Sequence, residues 1–152
     1  MIAGMSNNVN TGTNTHIDIL NKIESLIKES VDNIIVWDEK SKDIKGKYFY
    51  IRTNSMQVGI LLGFIINERP IKCIVLCFTD PKGRIDRGIA KKAENLFNSI
   101  TRYNMLYGFK LIKDDLPALI KVAEVNDTND VMGFFRSSLR DLLNVLRGIE
   151  KI

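Results

Sequence analysis

Residues 57–79 read QVGILLGFIINERPIKCIVLCFT, two apolar runs joined by the polar segment NERP. Each run is rich in β-branched and aromatic residues, and Pro70 and Pro81 bound the second one. Short apolar runs of this kind, ended by turn residues, form strands more readily than helices. Both runs are apolar at successive positions as well as alternating ones, so both faces of the resulting sheet need cover. Helices of the same chain can cover one face, and a second copy of the molecule can cover the other. On such a strand Cys73 and Cys77 point to the same face, about 13 Å apart at roughly 3.3 Å per residue. That is too far for a disulfide or for a shared zinc ion, and it predicts buried, reduced thiols.

Towards the N-terminus, KYFYIRT (residues 47–53) alternates, with Phe49 and Ile51 on one face and Tyr48, Tyr50 and Arg52 on the other. NIIVWD (33–38) is one more candidate strand. The connectors EKSKDIKG, TNSM and NERP are short and polar, which suits consecutive antiparallel pairing. Before the strands, Ile17, Leu20, Ile23 and Ile27 follow helical spacing to about Ser30, and Thr15 with Asp18 resembles a capping box. Residues 1–14 are mostly Asn, Ser, Thr and Gly and predict a flexible tail, leaving a single domain over 15–152.

Towards the C-terminus, Ile85, Ile89, Ala93, Leu96, Phe97, Ile100 and Tyr103 mark a helix between about Gly83 and Tyr107, ending before Gly108. FKLIKDDLPALIKVAEV (109–125) predicts a hairpin with Asp114 and Asp115 at its tip and Pro117 opening an edge strand. Asp127 or Thr128 can cap a last helix through Ile149, with Val131, Phe135, Leu139, Leu142, Leu146 and Ile149 on one stripe. The order is α-β-β-β-β-α-β-β-α. It predicts an α+β domain with an antiparallel sheet and helices packed on one face.

This layout resembles the type III secretion chaperones and the related YbjN-like proteins. NLFNSITRYNMLYGFKLIKDDLPALIKVAEV (95–125) looks like their passage from second helix into hairpin, and FFRSSLRDLLNVLRGIE (134–150) like their closing helix. The resemblance implies a type III secretion chaperone-like fold, a homodimer and non-enzymatic protein binding, and it brings no residue-level site. In charge the chain departs from those chaperones, which are typically acidic: it carries a net +4.

Several chemistries find no support. The chain has a single histidine, His16, and no cysteine pair at ligand spacing, so no metal site is expected. Gly46-Lys47 leads into a strand and lacks an upstream glycine, unlike a phosphate-binding loop. One histidine and no G-x-S-x-G elbow leave no nucleophilic triad. Asp114 and Asp115 read as a solvated turn. We therefore expect neither an enzyme nor a cofactor. The longest apolar run, Val58 to Ile66, falls short of the roughly 20 residues a spanning helix needs. With no signal-peptide pattern at its start, the sequence reads as cytoplasmic and off the membrane.

The charge is concentrated. Between Lys82 and Arg102 stand six of the 22 basic residues and two of the 18 acidic ones, so the remainder balances at sixteen of each. On a helix, Arg84, Arg87, Lys91, Asn95, Asn98 and Arg102 share one side, opposite the apolar stripe. Such a ridge is either a solvated or protein-contacting face, or a track for phosphates with two amides able to reach bases. The first reading gives a dimeric protein-binding, chaperone-like or regulatory module. The alternative is a nucleic-acid-binding protein using that ridge.

Overall fold

The computed structural model describes residues 2–53, 56–66, 70–79, 87–103, 106–113 and 116–149, with side chains from His16 onward except those of Arg87, Ile89, Ala90 and Ile149. Three helices and six strands follow the expected order: α1 (Ile2–Ser30), β1 (Trp37–Asp38), β2 (Lys45–Arg52), β3 (Gln57–Ile65), β4 (Ile71–Thr79), α2 (Arg87–Arg102), β5 (Lys110–Ile112), β6 (Ala118–Val125) and α3 (Thr128–Ile149). The strands form one sheet in the order β1-β2-β3-β4-β6-β5, and every neighbouring pair is antiparallel. The fold is therefore α+β.

Register explains why β3 and β4 are apolar on both sides. Phe49, Ile60, Cys77 and Leu119 line up across β2, β3, β4 and β6. All four are fully buried and belong to one core with Ile19, Ile23 and Ile27 of α1, Ala93, Phe97 and Ile100 of α2, and Phe135, Leu139 and Leu142 of α3. All three helices thus cover one face. The next row, Trp37, Tyr48, Leu61, Leu76, Ile120 and Lys110, points the other way. None of its six residues belongs to that core.

The helices are fastened by identifiable contacts. Asp127 Oδ1 accepts the Asp130 amide at 2.8 Å, which caps α3 as expected. On α1, Glu24 pairs with Lys28 at 3.6 Å and with Lys47 of β2 at 3.6 Å, and Lys47 also pairs with Asp38 of β1. That chain of charges ties helix, edge strand and sheet together. At the end of α2, Thr101 Oγ1 donates to the Phe97 carbonyl, and Gly108 takes φ 79°, a left-handed turn suited to glycine. The Lys121 ammonium then lies 5.5–5.9 Å from the ring centres of Tyr107, Phe109 and Phe134. Cation–π attraction there holds the α2–β5 turn against β6 and α3.

Some details differ from expectation. Helical backbone runs from Ile2, through the segment read as a tail, so Thr15 stands inside α1 rather than capping it. The buried α1 stripe is Ile19, Ile23, Leu26 and Ile27, while Ile17 is 50% exposed. Polar residues around Ile17 left the helix phase open, and packing on the sheet selected Ile19 instead. NIIVWD contributes only Trp37 and Asp38 to the ladder, since Ile34 and Val36 pack on the core beside it. Tyr103 lies past the end of α2 and is exposed. Pro117 directly precedes β6, an inner strand, and the edge is the three-residue β5. Placed before the first paired residue, the proline removes no ladder hydrogen bond.

Candidate interaction surfaces

Among the described residues, nothing covers the second face of the sheet. Its centre is apolar: Tyr48 and Tyr50 of β2, Leu61 of β3, Ile74, Leu76 and Phe78 of β4, and Ile120 and Val122 of β6. Most of these side chains are partly exposed, and Val122 is 51% exposed. A contiguous apolar area of this kind is uncommon on a solvated monomer. Polar groups stay at the margins, with Arg52 and Gln57 at one end, Lys72 facing Glu124 at the other, and Lys110 on the β5 edge.

Aromatic rings organise one half of that face. The rings of Tyr48, Tyr50 and Phe78 meet edge to face, with centroids 5.8, 6.1 and 6.5 Å apart. Gly59 makes this possible. A Cβ built there would lie 2.4 Å from Phe78 Cζ, so the ring lies flat across β3 in space that only glycine leaves. At Gly63 the neighbouring atom is Ile44 Cγ2, 2.8 Å from such a Cβ. Between these two coverings, Leu61 is 7% exposed without any helix above it.

Beside the aromatic cluster lies a recess of about 660 Å3, walled by Val36, Trp37, Tyr48, Tyr50 and Phe78 and rimmed by Asp38, Glu39 and Lys40. Trp37 is 48% exposed, held in place by pairing with Tyr48 on β2. The Glu39 amide donates to the Gly46 carbonyl at 3.0 Å, and Glu39 Oε1 accepts the Ser41 amide at 3.1 Å. These bonds hold the carboxylate at the rim. Aromatic faces and carboxylates together favour a cation. Alternation placed Tyr48 and Tyr50 on one face in the sequence. Phe78 and Trp37 joined them only through register, which no local pattern encodes.

The basic ridge on α2 is partly described. Arg84 lies outside the described residues, and of Arg87 only the backbone is described. Lys91, Asn95 and Arg102 are exposed, Asn98 is half-buried, and Ala93, Phe97 and Ile100 face the core. Asn95 and Asn98 also receive helix-end hydroxyls through their carbonyls, from Ser99 and Thr101. The Arg102 guanidinium sits 5.9 Å from the Tyr103 ring centre. The ridge belongs to the helical layer, on the opposite side of the molecule from the bare sheet face.

Other chemistry is thinly represented. Among the described residues, no three His, Cys, Asp or Glu side chains are placed to hold a metal ion. No helix among them is long and apolar enough to cross a membrane. Cys73 and Cys77 are free and buried on the covered face, where loss of hydration pushes their thiols up from 9.0 to about 11 and about 12. The Asp114-Asp115 tip lies outside the described residues. His16 packs edge to face on Phe64, with centroids 5.9 Å apart. No family model matches the chain, and a comparison with curated proteins finds no match.

Proposed function

We propose that the chain is a non-enzymatic, dimeric protein-binding module of a chaperone-like or regulatory kind, and that the uncovered sheet face is its assembly surface. The observation behind this reading is the row Tyr48, Leu61, Leu76 and Ile120, apolar across four strands with nothing above it among the described residues. The six strands hold 39 residues between them, each occupying about 4.8 by 3.3 Å, so two such faces bury at most about 1,240 Å2 in total. Stable protein interfaces begin at about 1,200 Å2. The resemblance in element order to the secretion chaperones points the same way. Two reduced thiols on the covered face suit a reducing compartment, and we place the protein in the cytoplasm.

The test is the association state at micromolar concentration, by sedimentation or light scattering. The chain as it stands forms a dimer, and Leu76→Glu forms a folded monomer with unchanged far-UV circular dichroism. A strict monomer for the unaltered chain ends this reading.

One observation favours a second reading. Exposed Lys91, Asn95 and Arg102 lie on the helical layer, so pairing through the sheet leaves two basic α2 helices facing outward. A nucleic-acid-binding protein built this way loses affinity linearly in log salt, and Lys91→Ala lowers the slope by about one unit. If neither DNA nor RNA is retained at low salt, the ridge is a solvated face.

A further inference from the structure

Resting on the dimer reading, we propose how the two copies are arranged. A twofold axis runs along the strands between β3 and β4, and Lys110 of each copy enters the aromatic recess of the other. The recess has four rings and a carboxylate-bearing rim at the β1 edge, and it sits in the same cross-strand row as an exposed lysine at the β5 edge. That row reads Trp37, Tyr48, Leu61, Leu76, Ile120, Lys110. Its two ends are chemically complementary, and its middle is apolar.

Face-to-face sheets keep their strand directions within about 30° of one another, and a self-complementary contact brings patch i onto j and j onto i. Two twofold axes in the plane of the interface satisfy both conditions. The axis along the strands exchanges left and right, because the sheet order is β1-β2-β3-β4-β6-β5. It sets β1 over β5 of the second copy, β2 over β6, and β3 over β4. Along the central row it stacks Leu61 on Leu76, Tyr48 on Ile120, and Trp37 opposite Lys110.

The axis across the strands instead sets each strand over its own copy. With that axis on the central row, Lys110 meets Lys110, and Glu39, at the opposite edge, meets no Lys110. Like charges opposed at a closing interface are costly, which selects the first arrangement.

Local chemistry suits the pairing. Leu111 packs on the core, so its neighbours Lys110 and Ile112 project from the bare face, and both are exposed. The recess has room for an extended lysine, whose stem lies along apolar rings while its ammonium meets the ring faces and Glu39. Asp38 and Glu39 outnumber Lys40 at the rim, although Lys47 already engages Asp38. Glu39 is the carboxylate left for the incoming cation. Both Lys110 and Glu39 sit at sheet margins, so exchanging their charges leaves the core untouched.

A charge-exchange cycle on the full chain tests the arrangement, with dimer dissociation constants measured by sedimentation equilibrium at low salt. Lys110→Glu and Glu39→Lys each weaken the dimer by about tenfold or more. The doubly substituted chain recovers most of that loss, because each copy again presents opposite charges. Trp37→Ala weakens the dimer and reduces the effect of Lys110→Glu. If the unaltered chain is a monomer, both the dimer reading and this arrangement fall. If it dimerises but the two exchanges combine additively, the arrangement alone is overturned and the copies meet in another geometry.

Discussion

The two faces of the sheet are built from alternate residues of the same strands, yet they have opposite fates. Beneath the helices, Phe49, Ile60, Leu62, Phe64, Val75 and Cys77 are fully buried in one core. On the other side Tyr48, Ile74, Leu76 and Phe78 have comparable apolar character and remain partly exposed. Hydrophobicity does not separate the faces; the supply of cover does. α2 joins β4 to β5, while α1 precedes and α3 follows the strands, and all three lie on one side, so among the described residues no helix is left for the other. The bare face compensates locally, with Phe78 lying over Gly59 and Ile44 over Gly63. Self-covering of this kind lowers the exposed area of β3 and leaves a broad, shallow apolar surface.

The largest effect that can break this comparison comes from truncating one large side chain on each face. Phe49→Ala opens a cavity in the core beneath the helices and costs about 3–5 kcal/mol of folding stability. Leu76→Ala removes a partly exposed side chain and costs less than about 2 kcal/mol in the dissociated chain. Denaturant unfolding at a concentration low enough to separate the copies measures both. Equal losses mean that the bare face is packed within the single chain, and the distinction between the faces fails. Under the proposed dimer, Leu76→Ala carries an added loss at high concentration, where it also weakens association.

How much of this was legible beforehand depends on which interactions are local. Element order, the antiparallel pairing and the α3 cap at Asp127 could all be read from spacing and turn residues, because those signals lie within a few positions of one another. The phase of α1 could not. Ile17 and Ile19 are equally apolar, and contact with the sheet decides between them. The inner position of β6 was equally hidden: β6 pairs with β4 across the whole of α2, a separation that no local pattern spans. The same holds for the bare face. Its apolar character was evident in QVGILLGFII and IKCIVLCFT, but the recess needs Trp37, Tyr48 and Phe78 from three strands. At its described residues Lys91, Asn95 and Arg102, the ridge on α2 is exposed, while Ala93, Phe97 and Ile100 of the same helix fill the core.

The smallest effect separates the faces through the two thiols. Cys73 and Cys77 lie on the covered side, and burial raises them from 9.0 to about 11 and about 12. A folded pKa above the unfolded value means that the native state retains its proton longer as pH rises. The thiols' contribution to stability is therefore complete below about pH 9 and is lost progressively as pH climbs from 9 towards 12. Lysines and tyrosines also titrate there, so the useful measurement is a difference. Between pH 9 and 11, Cys77→Ala loses less unfolding free energy than the unaltered chain, because it lacks one thiol that ionises on unfolding. At pH 8, labelling of both cysteines by an uncharged thiol reagent proceeds no faster than opening of the helical layer. Labelling at the rate of an exposed cysteine would mean that the helices leave the sheet readily. The covered face would then be bare as well, and the contrast between the two sides would reduce to a shift in population rather than a difference in construction.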